Sequence, residues 1–156
     1  MKILGIDAAS KTGYAIYNSK KKKIITSGII DLTKKRGESS GILFLKFRIW
    51  LTSILNKNKI SFVIYEQSHH RGGASTEIGV NLTGRIQEIC TERKIEYTTV
   101  HTATLKKFAT GNGRAEKDDM KKEAEKFINR KVIDDNEADA IHIARYGNYF
   151  IKNKGE

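Results

Sequence analysis

Three acidic residues stand where a carboxylate is costly unless it has chemistry to do. Asp7 ends the apolar run 3–6, Glu66 ends the run 60–66, and Asp139 falls in the first turn of an amphipathic stretch near the C-terminus. A carboxylate at the end of a buried strand must be hydrogen-bonded, paired or holding a metal, because an isolated buried charge costs too much. Strand ends and a helix N-terminus can converge on one edge of a sheet. Carboxylate oxygens gathered there are hard ligands, suited to Mg2+ or Mn2+ and not to zinc. Two such ions, on the order of 4 Å apart, can activate a water and stabilise the leaving oxygen of a phosphodiester. Helical spacing adds Asn136, at i−3 from Asp139, and Asp135, at i−4, to the same face, and turns Glu137 elsewhere. Each acid also has a plainer reading. Asp7 alone could cap a turn, and 134–137 alone is an acidic first turn favoured by the helix dipole. The three acids together tip the balance toward chemistry.

Charge points the same way. Lys+Arg outnumber Asp+Glu 29 to 18 in 156 residues, a formal net charge of +11. A chain this basic is expected to meet a polyanion, with nucleic acid the default; the competing explanation is a lysine-rich surface on an ordinary soluble protein. One cysteine, Cys90, excludes an internal disulfide and a cysteine-rich zinc site, and its apolar helical neighbours suggest a buried small hydrophobe. No N-terminal apolar stretch suits a signal peptide or a membrane span, so an intracellular, cytoplasmic protein is expected.

Around these residues the pattern predicts one domain over 1–156. Runs 3–6, 14–17 and 24–30 read as an antiparallel three-stranded meander, with Gly13 supplying a permissive backbone to the first hairpin and the lysines 20–23 in the second turn. Ser39 or Ser40 could cap a helix over 42–55, whose Leu43, Phe47, Trp50 and Ile54 share one face. A strand over 60–66 leads through the polar loop 67–75 to a helix over 76–93, and a fifth strand occupies 97–100. Helices over 104–108, 116–128 and from Asp134 to about 151 complete an α/β fold, a mixed five-stranded sheet flanked by helices.

At this point the residues resemble a known family. ILGIDAASKTGYAIY, FVIYEQ, TLKKFATGNGRAEK and EADAIHIA are similar to the RuvC Holliday-junction resolvases of the RNase H-like superfamily, nearly end to end, in a divergent phage- or virus-type form. The resemblance implies a homodimer, joined through the helix at about 76–93, that nicks branched DNA in recombination and repair with Mg2+ as cofactor, two ions per subunit. It carries Asp7, Glu66 and Asp139 over as metal-binding catalytic carboxylates, and Lys106 and Lys117 as residues of backbone binding and catalysis. Lys107 and Arg114, in the same stretch, join the DNA-binding set. The expected chemistry is hydrolysis to 5′-phosphate and 3′-hydroxyl ends.

Two departures stand out. The family's fourth ligand position holds Asn136, an uncharged oxygen donor, so Asp135 is a competing candidate. The position that wedges against junction bases holds His69, followed by His70 and Arg71, which implies looser discrimination among branched DNAs. A branched-DNA-binding protein with weak or lost catalysis is the alternative that Asn136 raises. A nuclease of RNA or simple duplex ends stays open, because the acids name a reaction and not a substrate.

Overall fold

A computed structural model describes residues 1–67 and 72–154. His69, His70 and Arg71 lie outside the described residues. The sheet has five strands in the order β3-β2-β1-β4-β5. These are β1 (Lys2–Asp7), β2 (Lys11–Asn18), β3 (Lys23–Asp31), β4 (Phe62–Glu66) and β5 (Glu96–Val100), interleaved with helices α1 (Gly41–Asn58) and α2 (Ala74–Glu92) and followed by α3 (Thr102–Thr110), α4 (Lys117–Ile128) and α5 (Asp135–Asn153). β1 pairs antiparallel with β2, and β2 with β3, while β1, β4 and β5 run parallel. The expected mixed sheet with an antiparallel meander is the sheet observed. Among the described residues no helix is long and apolar enough to cross a membrane.

Both faces of the sheet are covered, which is why β1 and β4 read as unbroken apolar runs and not as alternating ones. Ile3 and Ile64 face α5 together with Ala140, Ile141 and Ala144. Leu4, Ile6, Val63 and Tyr65 face α1 and α2, where Phe47, Leu51, Leu82, Ile86 and Cys90 complete the second core layer. Fully burying each Ile or Leu of this set is worth roughly 2 kcal/mol. Burial pushes the Cys90 thiol up to about 12, so it is the inert hydrophobe its setting suggested.

Three local expectations need correction. Gly13 is not in the first turn. It pairs with Asp7 inside the β1–β2 ladder, and the turn is held by Thr12, whose hydroxyl donates to the Ala9 carbonyl at 2.6 Å. Gly13 is needed because α5 comes in to backbone contact there. A Cβ would run into the Asn136 carbonyl and lie 3.0 Å from the Glu137 nitrogen. Gly5 does the same one turn further on, where a Cβ would meet Ala144 N at 2.5 Å and Ala140 O at 2.6 Å. Secondly, Ser40 precedes α1 but makes no side-chain cap, because its backbone is already helical at φ −62°, ψ −25°. A capping serine needs extended backbone to bring its oxygen over the first turn. Thirdly, β2 and α2 each start earlier than the apolar pattern, at Lys11 and Ala74, since polar residues extend both elements.

The close approach of α5 gives the first prediction. Gly13→Ala should destabilise the protein by roughly 1–3 kcal/mol, because the obstructing atoms are backbone and cannot rotate away. A denaturant midpoint equal to the parent's would mean that α5 does not sit this close to β2.

Candidate active site

The parallel strands β1 and β4 end side by side, so Asp7 and Glu66 emerge from the same edge of the sheet. The glycine-permitted contact with β2 sets the first turn of α5 over that edge and adds Asp139. Asp134 caps the helix as expected, accepting from the Glu137 N–H at 3.0 Å. The Asn136 amide donates to the Lys11 carbonyl at 2.9 Å and ties the helix start to β2.

The electrostatics report how tightly these groups are gathered. Burial, then the charges of Asp139, Glu66, Asp135 and Asp134, push the Asp7 carboxyl well above the usual carboxylate range. Burial, then Glu66 and Asp135, push Asp139 up to about 7, against the opposing pull of Lys106 and Lys117. Asp135 behaves differently. Burial pulls it up, but the Lys117 ammonium at 3.1 Å and further hydrogen bonding hold it below its ordinary value. That ion pair is exposed, with 84% of the Lys117 side chain open to solvent, so it adds little stability and leaves the lysine free to turn toward another anion.

Among the described residues, no group of three or more Asp, Glu, His or Cys side chains is drawn together closely enough to hold a metal ion as it stands. The donor set nonetheless fits a hard divalent cation. Its members are oxygen donors, two of them, Asp7 and Asp139, are driven toward protonation by burial and by neighbouring carboxylates, and positive charge placed among them would relieve both effects. Glu66 is meanwhile held by the Thr102 hydroxyl, which donates to its Oε1. A cleft of about 240 Å³ opens beside Asp7 and Glu66, bordered by Gln67 and by Ser75, Thr76 and Gly79 of α2. Gln67 comes with Glu66, but Ser75, Thr76 and Gly79 carry no signal in the sequence, since only the docking of α2 brings them there.

The structure places the remaining candidates as follows. Lys106 on α3 and Lys117 at the start of α4 both act on Asp139, and with Arg114 they line a shared cleft of about 460 Å³. Lys107, rotated about 100° from Lys106 around α3, is exposed but is not among the residues lining it. His142 is buried, its Nε2 2.8 Å from the Met120 carbonyl, and burial lowers it to about 4; it is a neutral structural residue. Glu137 does turn away from the carboxylate face, but it is fully buried, a role the spacing did not suggest.

Comparison with known proteins follows the same lines. A family model described as "Crossover junction endodeoxyribonuclease RuvC" matches residues 3–145. A protein of Brachyspira hyodysenteriae, named crossover junction endodeoxyribonuclease RuvC, is 30% identical over 145 residues, which is 90% of this chain and 89% of that one. The structure of Thermus thermophilus RuvC superposes with a TM-score of 0.82 at 15% identity, covering 97% of this chain and 96% of that one. The same protein in complex with a Holliday junction substrate superposes with a TM-score of 0.80 at 14% identity, covering 97% and 95%. At such identities the structural likeness carries the fold alone, which is the RuvC fold.

Proposed function

Because the chain belongs to the RuvC family of crossover junction endodeoxyribonucleases, we propose that it is a Holliday-junction resolvase that nicks branched DNA by metal-dependent phosphodiester hydrolysis. The observation that carries this reading is the convergence of Asp7, Glu66 and Asp139 on one sheet edge, with Lys106 and Lys117 facing them.

Asp7, central to the repulsion, would hold the metal together with Glu66, Asp139 and either Asn136 or Asp135, with two ions per subunit in our reading. Mg2+ bound there, with Mn2+ as a substitute, would supply water activation in line with the scissile phosphate and charge neutralisation at the departing 3′ oxygen. The chain's own residues do the rest. Lys106, Arg114 and Lys117 bring the phosphate backbone to the carboxylates, and Lys117 exchanges Asp135 for phosphate as it does so. Thr102 orients the Glu66 carboxylate. The expected ends are 5′-phosphate and 3′-hydroxyl. Two copies are needed to nick opposed strands, and the outer face of α2, where Val80 is 39% exposed, is the surface we assign to that dimer. A junction-binding protein with weak catalysis remains the second reading. It is favoured by one observation, that Asn136 puts a neutral amide oxygen where a charged ligand would otherwise stand, its NH2 group donating to the Lys11 carbonyl.

A synthetic four-way junction incubated with and without Mg2+, beside a matched linear duplex, tests the proposal. Paired metal-dependent nicks in the junction alone are expected. Binding without cutting would select the second reading, and equal cutting of the duplex would make the protein a general nuclease.

A further inference from the structure

The catalytic edge accounts for only part of the positive charge. The sheet register places a second basic surface at the opposite pole. Lys2 pairs with Asn18 and Asn18 with Lys23, while Ile3 pairs with Phe62 and Phe62 with Glu96. The turn 20–22, the end of α1 at Lys57 and Lys59, and the α2–β5 turn at Lys94 therefore all lie around the start of β1, away from Asp7. All of these lysines are exposed, and among the described residues none of them forms an ion pair. From Lys2 to Asp7 is roughly 17 Å along the strand. That exceeds the screening length of about 8 Å at physiological salt, so the two basic surfaces act as separate fields.

A second, independent feature marks this pole. Among the described residues four non-glycine residues have left-handed backbone: Lys22 at φ 54°, Lys59 at 52°, Lys94 at 56° and Asn129 at 56°. Three of the four are lysines, and all three sit in turns of the basic pole. An L side chain is strained in this conformation and glycine is not, with asparagine the next best choice. At each of these turns the chain keeps a long cation where a glycine would fold more easily. Strain retained at three exposed turns of one surface points to a use for the side chain that folding does not supply.

We propose that Lys22, Lys59 and Lys94, with the neighbouring lysines at 20, 21 and 57, form a second, sequence-independent phosphate-backbone site that engages a DNA duplex segment other than the one at the catalytic edge. The spread of the charges over three separate turns suits the spaced phosphates of a duplex better than a single compact anion. This rests on the reading of the protein as one that acts on DNA, and the test separates the two.

Residue-resolved lysine acetylation with and without a linear duplex, read by mass spectrometry on the intact protein, is the first measurement. Protection of Lys22, Lys59 and Lys94 together with Lys106 and Lys117 is the expected result. Protection confined to Lys106 and Lys117 overturns the second site and leaves the catalytic reading standing. Protection at neither pole also overturns the second site, and the catalytic reading is then decided by the four-way junction assay alone. The triple variant Lys22→Gly, Lys59→Gly, Lys94→Gly is the second measurement. It should melt no lower than the parent, nick a short four-way junction at the parental rate, bind long duplex roughly tenfold more weakly, and show a salt slope shallower by about 2.7. Unchanged duplex affinity and slope overturn the site. Binding of the parent to phosphatidylserine vesicles through these lysines, with none of them protected by duplex, would assign the surface to membranes and overturn it as well.

Discussion

Asp7→Asn is expected to bind a four-way junction as well as the parent and to nick it at least roughly 10³-fold more slowly. The substitution keeps size and shape but removes the charge on which the carboxylate edge is centred. Attraction for DNA does not fall when a negative charge is lost, so binding persists or tightens. Stability moves the other way from activity. The folded-state Asp7 carboxyl is raised by burial, Asp139, Glu66 and Asp135, and Asp139 is raised to about 7. A carboxyl raised on folding contributes stability that is fully present below its unfolded value near 4 and is lost as pH rises through its folded value. The metal-free parent should therefore lose stability between about pH 4 and neutrality and regain it when Mg2+ is added. The variant should show a flatter pH dependence and, at pH 7.5 without metal, a higher melting midpoint than the parent. A variant that melts lower would return Asp7 to the role of a turn-capping acid.

The second large effect concerns a residue outside the carboxylate cluster at the sheet edge. Glu137 is fully buried one position from Asn136 and two from Asp139. Its Oε1 accepts from the Arg130 guanidinium at 2.6 Å and from the Ser27 hydroxyl at 2.7 Å, and its Oε2 from the Ile133 N–H at 2.5 Å. Burial alone would raise this carboxyl, but the hydrogen bonds from Arg130, Ile133 and Ser27 outweigh it and hold it below the usual range. The cluster pins the first turn of α5 to β3 and to the segment after α4. Arg130→Met strands the buried charge with two neutral donors and should cost on the order of 3 kcal/mol. Because Glu137 is lowered on folding, the stability it contributes is present above its unfolded value near 4.3 and is lost as pH falls through the folded value. The gap between parent and variant should close in acid. A double replacement, Arg130→Met with Glu137→Met, should recover most of the loss at neutral pH, since it removes the unpaired charge. Equal instability of the single and double variants would locate the effect in packing and not in charge.

Much of this site is readable before any folding is considered, because it obeys local rules. Asp7 and Glu66 each close an apolar run, and a strand that is buried on both faces announces itself by that run. Asp135, Asn136 and Asp139 follow helical spacing, and Asp134 is a helix cap by residue type. Lys106 and Lys117 are different, since their place opposite the carboxylates comes from the family pattern and not from any period.

The remainder depends on contacts between residues far apart in the chain, for which spacing carries no signal. Ser27 and Glu137 are separated by 110 positions, so the burial of that acid cannot be seen from its neighbours. Gly13 reads as a turn residue until α5 is laid across it, and the lysine turns look like scattered solvated loops until the strand register gathers them at one pole. The sequence by itself determined the elements, the sheet they form and the acids at its edge, because side-chain period and burial act within a few residues. Only the tertiary structure decided how closely α5 approaches, which acid is structural and which faces the cleft, and where the surplus positive charge collects, because each is set by the geometry of packing across the sheet.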